Sequence, residues 1–447
     1  MNEQAIIARY RQRTPKSEAF FARAAVSLVG GVTGSLRFFE PYPLYFAGGE
    51  GAYITDIDGN RYIDCFLCNG PLQLGHRPEA ITTAIARHAA TGPLVVNPML
   101  AASVAELLVE MVPCAEQVRF LNTGTEAVMT ALRCARAATG RGKVVKFSGH
   151  YHGQEDQLLV GMGRSPRPLG AGIPAASVSA TVVVRYGDLA ALREVLENDS
   201  DVAAVLLDPA MHAGGLWGSD TNYLRAVRAL TSEKGVLLIF DEVITGFRLA
   251  PGGAQQFHNV TPDLATFAKA LANGEKLGAV VGRRDIMAVL DPRQLRDQPR
   301  AYQSGTSNDG TNALAAAQAS LLSYQSLAGE GAYQNLFALS ERLATGLREV
   351  FSSHGIDCHI NQLGPMLQLF LTAEQPSFEN FIRLDTRSAW LFSLAMLKHD
   401  VLFALPGSTH VYLSFAHSEA DITAVIDAAG QVLDEYDFVA ISAGQDA

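Results

Sequence analysis

Two residues near the middle of the chain stand where chemistry would need them. Val236-Leu237-Leu238-Ile239-Phe240 is an apolar, strand-length run that ends on Asp241. A second run, Asp263-Leu264-Ala265-Thr266-Phe267-Ala268, ends on Lys269. Two strands of the buried type thus each deliver one ionisable side chain at a carboxyl end, the edge where open α/β sheets bind ligands. A lysine amine can form a Schiff base with an aldehyde, and a carboxylate can hold a ring nitrogen protonated. Each residue also has a plainer use: an Asp at a strand end is often a helix N-cap, and a Lys after an apolar run is usually a solvated terminus. The surrounding pattern decides between them.

Val118–Leu121 is a short strand that runs into Asn122-Thr123-Gly124-Thr125-Glu126-Ala127, with a helix predicted from about Glu126 to Thr139. A strand–glycine–helix junction suits an anion, because the first helical N–H groups lack partners and the helix dipole favours negative charge there. Gly124 allows close approach and Thr125 adds a hydroxyl. One glycine is weak evidence, and the G-x-G-x-x-G fingerprint of a nicotinamide oxidoreductase is absent. Lys143–Phe147, another strand, ends at Gly149-His150-Tyr151-His152-Gly153, where Tyr151 can stack on a flat ring. The two histidines are read as polar loop residues or donors behind a site. No third ligand at metal-binding spacing accompanies them, and no metal is expected.

The elements that must position these residues follow from periodicity. Residues 1–24 read as a helix, broken by Gly30-Gly31-Val32-Thr33-Gly34. Tyr53–Asp56 and Tyr62–Phe66 form a hairpin about Asp58-Gly59-Asn60. Helices are predicted over Pro78–His88 and Ala101–Val112. Residues 161–180, rich in Gly, Pro, Ser and Ala, read as a mobile loop. Val202–Leu207 is a buried-type strand ending on Asp208-Pro209. Strand and helix alternate from residue 118 to 285, which predicts a parallel, right-handed α/β sheet. From about residue 330 the pattern becomes α+β.

At 447 residues, 48% apolar and 18% charged, the chain has the make-up of a globular enzyme of more than one domain. A net charge of −10 argues against nucleic acid or an anionic membrane as partner. The apolar runs are far short of a membrane span, and Met1–Ala5 lacks the order of a signal peptide. Five cysteines in so long a chain are no disulfide framework. Cys65-Phe66-Leu67-Cys68 is a lone CxxC among apolar neighbours and reads as a buried structural pair. A cytoplasmic location is expected.

These motifs together resemble the class III aminotransferases, enzymes of pyridoxal 5′-phosphate (PLP) and the type I fold. The nearest branch in pattern holds glutamate-1-semialdehyde aminomutase and the aromatic and β-amino-acid aminotransferases. The similarity runs from about Gly31 to Leu433 and rests on Asn122–Ala127, Gly149–Gly153, Phe240–Arg248, Thr261–Leu264 leading to Lys269, and Ser304-Gly305-Thr306. It implies a mainly parallel central sheet with helices on both faces, plus a smaller α+β terminal domain. The implied division is residues 1–60 as an N-terminal segment of the small domain, 61–325 as the PLP domain and 326–447 as the C-terminal domain.

The resemblance also implies roles. Lys269 is the Schiff-base lysine, Asp241 the partner of the pyridine nitrogen, Val243 the residue under the ring and Tyr151 the residue over it. His152 joins the cofactor set. Gly124 and Thr125 hold the phosphate, and Thr306 reaches the phosphate of the other subunit, so a homodimer with shared sites is implied. Arg37 stands where the branch binds a substrate carboxylate, with Arg248 as the competing anchor. The implied activity is aminotransfer between a carboxylate-bearing donor and an oxo acceptor; the alternatives are an aminomutase and a PLP-binding protein without catalysis. Five departures lie mostly around the substrate: Leu67-Cys68-Asn69-Gly70-Pro71 for the family's Gly-Ser-Trp-Gly-Pro, Asp208 for its Glu, Ala213 for a polar residue, Ala270-Leu271-Ala272-Asn273-Gly274-Glu275-Lys276 for a Gly-rich segment, and Thr409 for a Glu of the aminomutase.

Overall fold

The computed structural model of the protein describes residues 3–162, 168–217, 220–294, 298–381, 384, 386–405 and 410–438. The chain divides into two compact units: residues 79–333, and the two ends together, 1–78 with 334–447. Along the chain the strands are β1 Phe46–Glu50, β2 Tyr53–Asp56, β3 Arg61–Asp64, β4 Gln117–Leu121, β5 Lys143–Phe147, β6 Thr181–Val184 and β7 Val202–Leu207. They continue with β8 Leu237–Asp241, β9 Leu264–Phe267, β10 Gly278–Gly282, β11 Cys358–Leu363, β12 Met366–Leu371, β13 Val401–Leu402 and β14 His410–Tyr412.

The unit 79–333 is built on one sheet of order β4-β10-β9-β8-β7-β5-β6. Five neighbouring strands, from β9 to β6, run parallel. Every residue of β7, β9 and β10 is buried, which is why these strands read as continuous apolar runs and not as alternation. Val202, Val205, Leu206 and Leu207 are wholly buried, and each contributes about 1.5–3 kcal/mol on leaving water. The expected mainly parallel sheet is present, with one exception. β10 runs antiparallel to both β9 and β4. The Ala268–Leu277 connection before it is too short for a crossover helix, so the chain must turn back.

The helix Gly124–Thr139 buries Ala127, Val128, Ala131, Leu132 and Ala135, a stripe at helical spacing, against the core of this sheet. Thr123 caps it: its hydroxyl accepts from the Glu126 N–H at 3.2 Å, and the Glu126 carboxylate accepts from the N–H groups of Thr123 and Asn122. Gly140, left-handed at φ +69°, ends it. Of the excursion expected over 161–180, residues 163–167 lie outside the described residues. Val160 bridges Pro168, and Ala175–Val178 is a turn of helix.

The unit of the two chain ends has a sheet β1-β2-β3-β13 and an antiparallel sheet β11-β12-β14. The predicted helix over 1–24 is two, Glu3–Arg13 and Pro15–Ala24, because Pro15 has no N–H to continue the first. The hairpin forms as expected, with the Asp56 carboxylate accepting from the N–H and side chain of Asn60. Its second strand stops at Asp64, before the predicted Phe66. Asp64 Oδ1 accepts from the N–H groups of Phe66 and Leu67 and turns the chain away, while Oδ2 lies 2.6 Å from His76 Nε2. These bonds hold residues 61–78 in this unit.

Leu67, Cys68 and Asn69 follow in the left-handed region at φ +49°, +54° and +69°, strained for three residues with side chains. The turn carries Cys68 to the surface, so the CxxC is not a buried pair: Cys65 is buried and Cys68 exposed. Thr409 lies outside the described residues.

Candidate active site

Parallel pairing of β8 with β9 sets Asp241 opposite Thr266, two residues from Ala268. Asp241 is buried. Its Oδ2 lies 2.7 Å from His152 Nδ1, and its Oδ1 accepts from the Val243 N–H at 3.1 Å and the Thr266 hydroxyl at 3.2 Å. Burial pushes its carboxyl up to about 6, against the pull of these donors and of the Lys269 charge.

Lys269 begins a short turn, Lys269–Ala272, and is itself left-handed at φ +46°. A lysine held there is strained backbone of the kind that gathers at functional sites. Burial, then the nearby Arg248 charge, push its amine down to about 8, while Asp241 and Asp208 pull the other way. The amine therefore gives up its proton near neutral pH, which a surface lysine does not.

The helix start lies against this pair. A Cβ on Gly124 would come within 2.9 Å of Val243 Cγ2 and 3.6 Å of the Ala268 Cβ, so only glycine lets the helix approach. Among the described residues no acceptor meets the N–H groups of Gly124 and Thr125. The Gly149–Gly153 loop packs alongside: a Cβ on Gly153 would stand 2.5 Å from Thr125 Oγ1, and the Gln154 N–H donates to that oxygen at 3.3 Å. In this loop Tyr151 is 43% exposed, between two wholly buried histidines. Burial, then the Asp241 charge, raise its phenol. Thr306 is exposed on a turn whose Asn308 Oδ1 accepts from Asn122 Nδ2 at 3.0 Å, next to the helix start.

Lys269, Asp241, Val243, Gly124, Thr125, Tyr151, His152 and Thr306 thus all belong to the unit 79–333. Arg248 belongs to it too, but wholly buried, with its Nε donating to the Ile244 carbonyl at 3.1 Å. Its charge acts on the Lys269 amine. Arg37 is in the other unit, exposed at the end of the turn Ser35–Arg37. Its charge lies close enough to act on the Cys68 thiol. Arg37 therefore neighbours the strained turn Leu67–Gly70, where the Asn69 Oδ1 accepts from the Tyr412 hydroxyl at 2.9 Å.

Three residues of this region were not singled out as site residues. Asp208 directly follows β7, and its carboxylate accepts from the N–H groups of Ala210 and His212. Burial, then Asp241, push it up to about 7. Glu242 accepts from Ala254, Gln255 and Thr245, which folds the chain after Asp241 into a closed turn. Lys146 lies inside β5. A lysine within a run otherwise as apolar as a buried strand was the available signal. A groove of about 890 Å³ lined by Glu106, Glu110, Arg119, Arg284, Met287 and Arg293 includes none of these residues.

The chain matches the class-III aminotransferases over residues 40–416 and belongs to that family. A glutamate-1-semialdehyde 2,1-aminomutase of Archaeoglobus fulgidus is 36% identical over 425 residues, covering 94% of this chain and 99% of the relative. Among solved structures, an omega-transaminase from Sphaerobacter thermophilus superposes with a TM-score of 0.87 at 31% identity, covering 95% of this chain and 98% of that one. A glutamate-1-semialdehyde aminomutase variant from Pseudomonas aeruginosa PAO1, in complex with PMP, gives a TM-score of 0.86 at 25% identity, covering 97% of each chain. The fold is the PLP type I fold, and the cofactor is pyridoxal phosphate. The residues present fit that group: an amine of lowered pKa, a buried carboxylate for a ring nitrogen, and two backbone donors without acceptors at a helix start for a phosphate. Among the described residues no helix is long and apolar enough to cross a membrane.

Proposed function

We propose that this enzyme moves an amino group on a carboxylate-bearing amino compound, and that it does so within one molecule, as an aminomutase does. The observation that carries the intramolecular form is the near-full-length similarity to aminomutases at 36–37% identity. A second reading, aminotransfer to a separate oxo acceptor, is favoured by this chain's own residues. Leu67–Pro71 lacks the family's aromatic residue, and Asn69 there is tied to Tyr412.

Bound pyridoxal phosphate supplies an aldehyde that condenses with amines and a ring that, once protonated, takes up electrons from a bond broken beside the nitrogen. Lys269 is the residue that accepts and returns protons at the carbon bearing the amine, and its lowered pKa lets it act as a base near neutral pH. Asp241 holds a proton at the ring nitrogen. The N–H of His152 Nδ1 donates to Oδ2, which favours the carboxylate form over the protonated one. The N–H groups of Gly124 and Thr125 would hold the phosphate, and Tyr151 and Val243 would hold the ring. Thr306 serves the phosphate of a partner subunit, so activity follows a homodimer; an active monomer in sedimentation would contradict that assignment.

Arg37 is assigned to the substrate carboxylate, which its planar guanidinium matches with two parallel hydrogen bonds. Truncating one partner of such a pair typically costs about 2–5 kcal/mol. Arg37→Ala is therefore expected to raise KM at least ~30-fold for an amino acid and to leave an amine without a carboxylate nearly unaffected. Arg248→Ala, assayed beside it, is expected to depress turnover of both. If Arg37→Ala matches wild type on amino acids while Arg248→Ala loses them selectively, the anchor is Arg248.

The experiment that separates the two readings is an acceptor test. Product formation by the pyridoxal and pyridoxamine forms is followed with candidate amino acids, including amino aldehydes, with and without an added oxo acid. Turnover of one compound with no acceptor supports the aminomutase. A strict acceptor requirement moves the conclusion to the aminotransferase.

A further inference from the structure

Lys146 stands in β5 with no exposed surface. A buried ammonium usually has an acidic partner. Here burial alone pushes the amine down, to about 7, and no carboxylate pulls it back. Its Nζ donates instead to three backbone carbonyls, of His150 at 2.9 Å, Leu158 at 2.9 Å and Val160 at 2.8 Å. An ammonium has three donors, and all three are used. The acceptors lie at both ends of the irregular segment that leaves β5, and Tyr151 and His152 lie between them.

The two histidines of that segment are fixed in opposite tautomers. The Asp208 N–H donates to His150 Nδ1 at 3.1 Å, so that nitrogen is bare and the ring proton is on Nε2. His152 Nδ1 lies 2.7 Å from Asp241 Oδ2, so there the proton is on Nδ1. The rings are 5.6 Å apart, and neither Nε2 has a hydrogen-bond partner among the described residues. Burial keeps both rings uncharged, with the Lys146 charge acting in the same direction on each and His152 adding to it at His150. The groups facing His152 are Asp241 from β8, Lys146 from β5, and His150 and Tyr151 from its own loop.

We infer that Lys146 is a positioning residue for the reaction. Its three bonds to the carbonyls of His150, Leu158 and Val160 tie together the two ends of the segment that carries His152, and so hold the Nδ1–H of His152 on Asp241 Oδ2. A second proton on His152 would turn that hydrogen bond into an ion pair and spend the Asp241 charge that the cofactor ring needs. The link to catalysis rests on the role proposed above for Asp241; the state of the rings does not.

The test uses the full chain labelled with ¹⁵N-histidine, with and without pyridoxal phosphate. Wild type is compared with Lys146→Met, which removes charge and donors, and Lys146→Gln, which removes the charge but keeps an amide donor. In wild type His152 is expected as the Nδ1–H tautomer with no second proton between pH 8 and pH 6. In both variants His152 is expected to lose its single tautomer and show a mixture of Nδ1–H and Nε2–H forms, and in Lys146→Met the amides of residues 148–162 should exchange about tenfold faster. Unchanged ring signals in folded variants would overturn the proposal. So would failure of both variants to fold, since Lys146 would then serve the sheet as a whole. If the rings behave as expected but Asp241→Asn keeps its turnover, the reading of Asp241 fails and the inference on the rings stands.

Discussion

Replacing Lys269 with alanine is expected to leave a folded protein that binds pyridoxal phosphate but no longer turns over. A positioned acid or base typically supplies ~10²–10⁴ in rate, and Lys269 also serves as the amine that captures the cofactor. The loss should lie at or beyond the top of that range. The measurement is a single-turnover assay on the purified variant, with thermal unfolding as the control for folding. Retention of even a tenth of the rate would mean that another group moves the proton. A pH dependence comes with it. The aldehyde is attacked only by an unprotonated amine, and this amine is lowered from 10.5 to about 8. Capture of pyridoxal phosphate by the cofactor-free chain should speed up as pH rises to about 8 and then level off. A rate still climbing steadily through pH 10 would mean that burial does not act on Lys269 as described.

The second large effect is expected at Asp241. Asp241→Asn keeps the shape of the side chain and its reach to Val243 and Thr266, but removes the charge. Fixed electrostatic groups of this kind are typically worth ~10²–10³ in rate. The asparagine also meets the His152 N–H with an amide, and if its oxygen takes the other donors, the amide N–H₂ faces a donor. The variant should therefore lose rate by at least two orders of magnitude and hold the cofactor more weakly. Near-normal turnover would assign the ring nitrogen to a different acid, and Asp208, a buried carboxyl within the charge range of both Asp241 and Lys269, is the next to test.

The placement of Asp241 and Lys269 at strand ends was legible in the sequence because burial leaves a plain mark. β8 and β9 are covered on both faces, so they read as unbroken apolar runs, and the first ionisable residue after each marks the sheet edge. Gly124, the first residue of its helix, was legible for a similar reason, since a missing side chain signals a close approach. What the sequence hid depends on contacts between distant residues. His152 and Asp241 are 89 positions apart, and nothing local says that one ring nitrogen meets one carboxylate oxygen. Lys146 was legible as a strand residue only, because its acceptors are carbonyls of a loop with no periodicity. β10 could not be oriented from its composition; the length of the connection before it decides its direction. That Arg248, after Gly-Phe, is wholly buried was also hidden, since the Glu242 turn that carries it inward is closed by contacts with residues 254 and 255. The left-handed Leu67–Asn69 turn was hidden too, since Leu67 and Cys68, unlike Asn69, are residues that rarely take a positive φ.

The most direct measurement is to reduce the pyridoxal phosphate-loaded protein with borohydride, digest it and locate the pyridoxyl group by mass spectrometry. The expected result is a single label on Lys269, absent from Lys269→Ala. A label on Lys276, Lys234 or Lys146, or none at all in a protein that holds the cofactor, would contradict the assignment of Lys269 and with it the proposed chemistry.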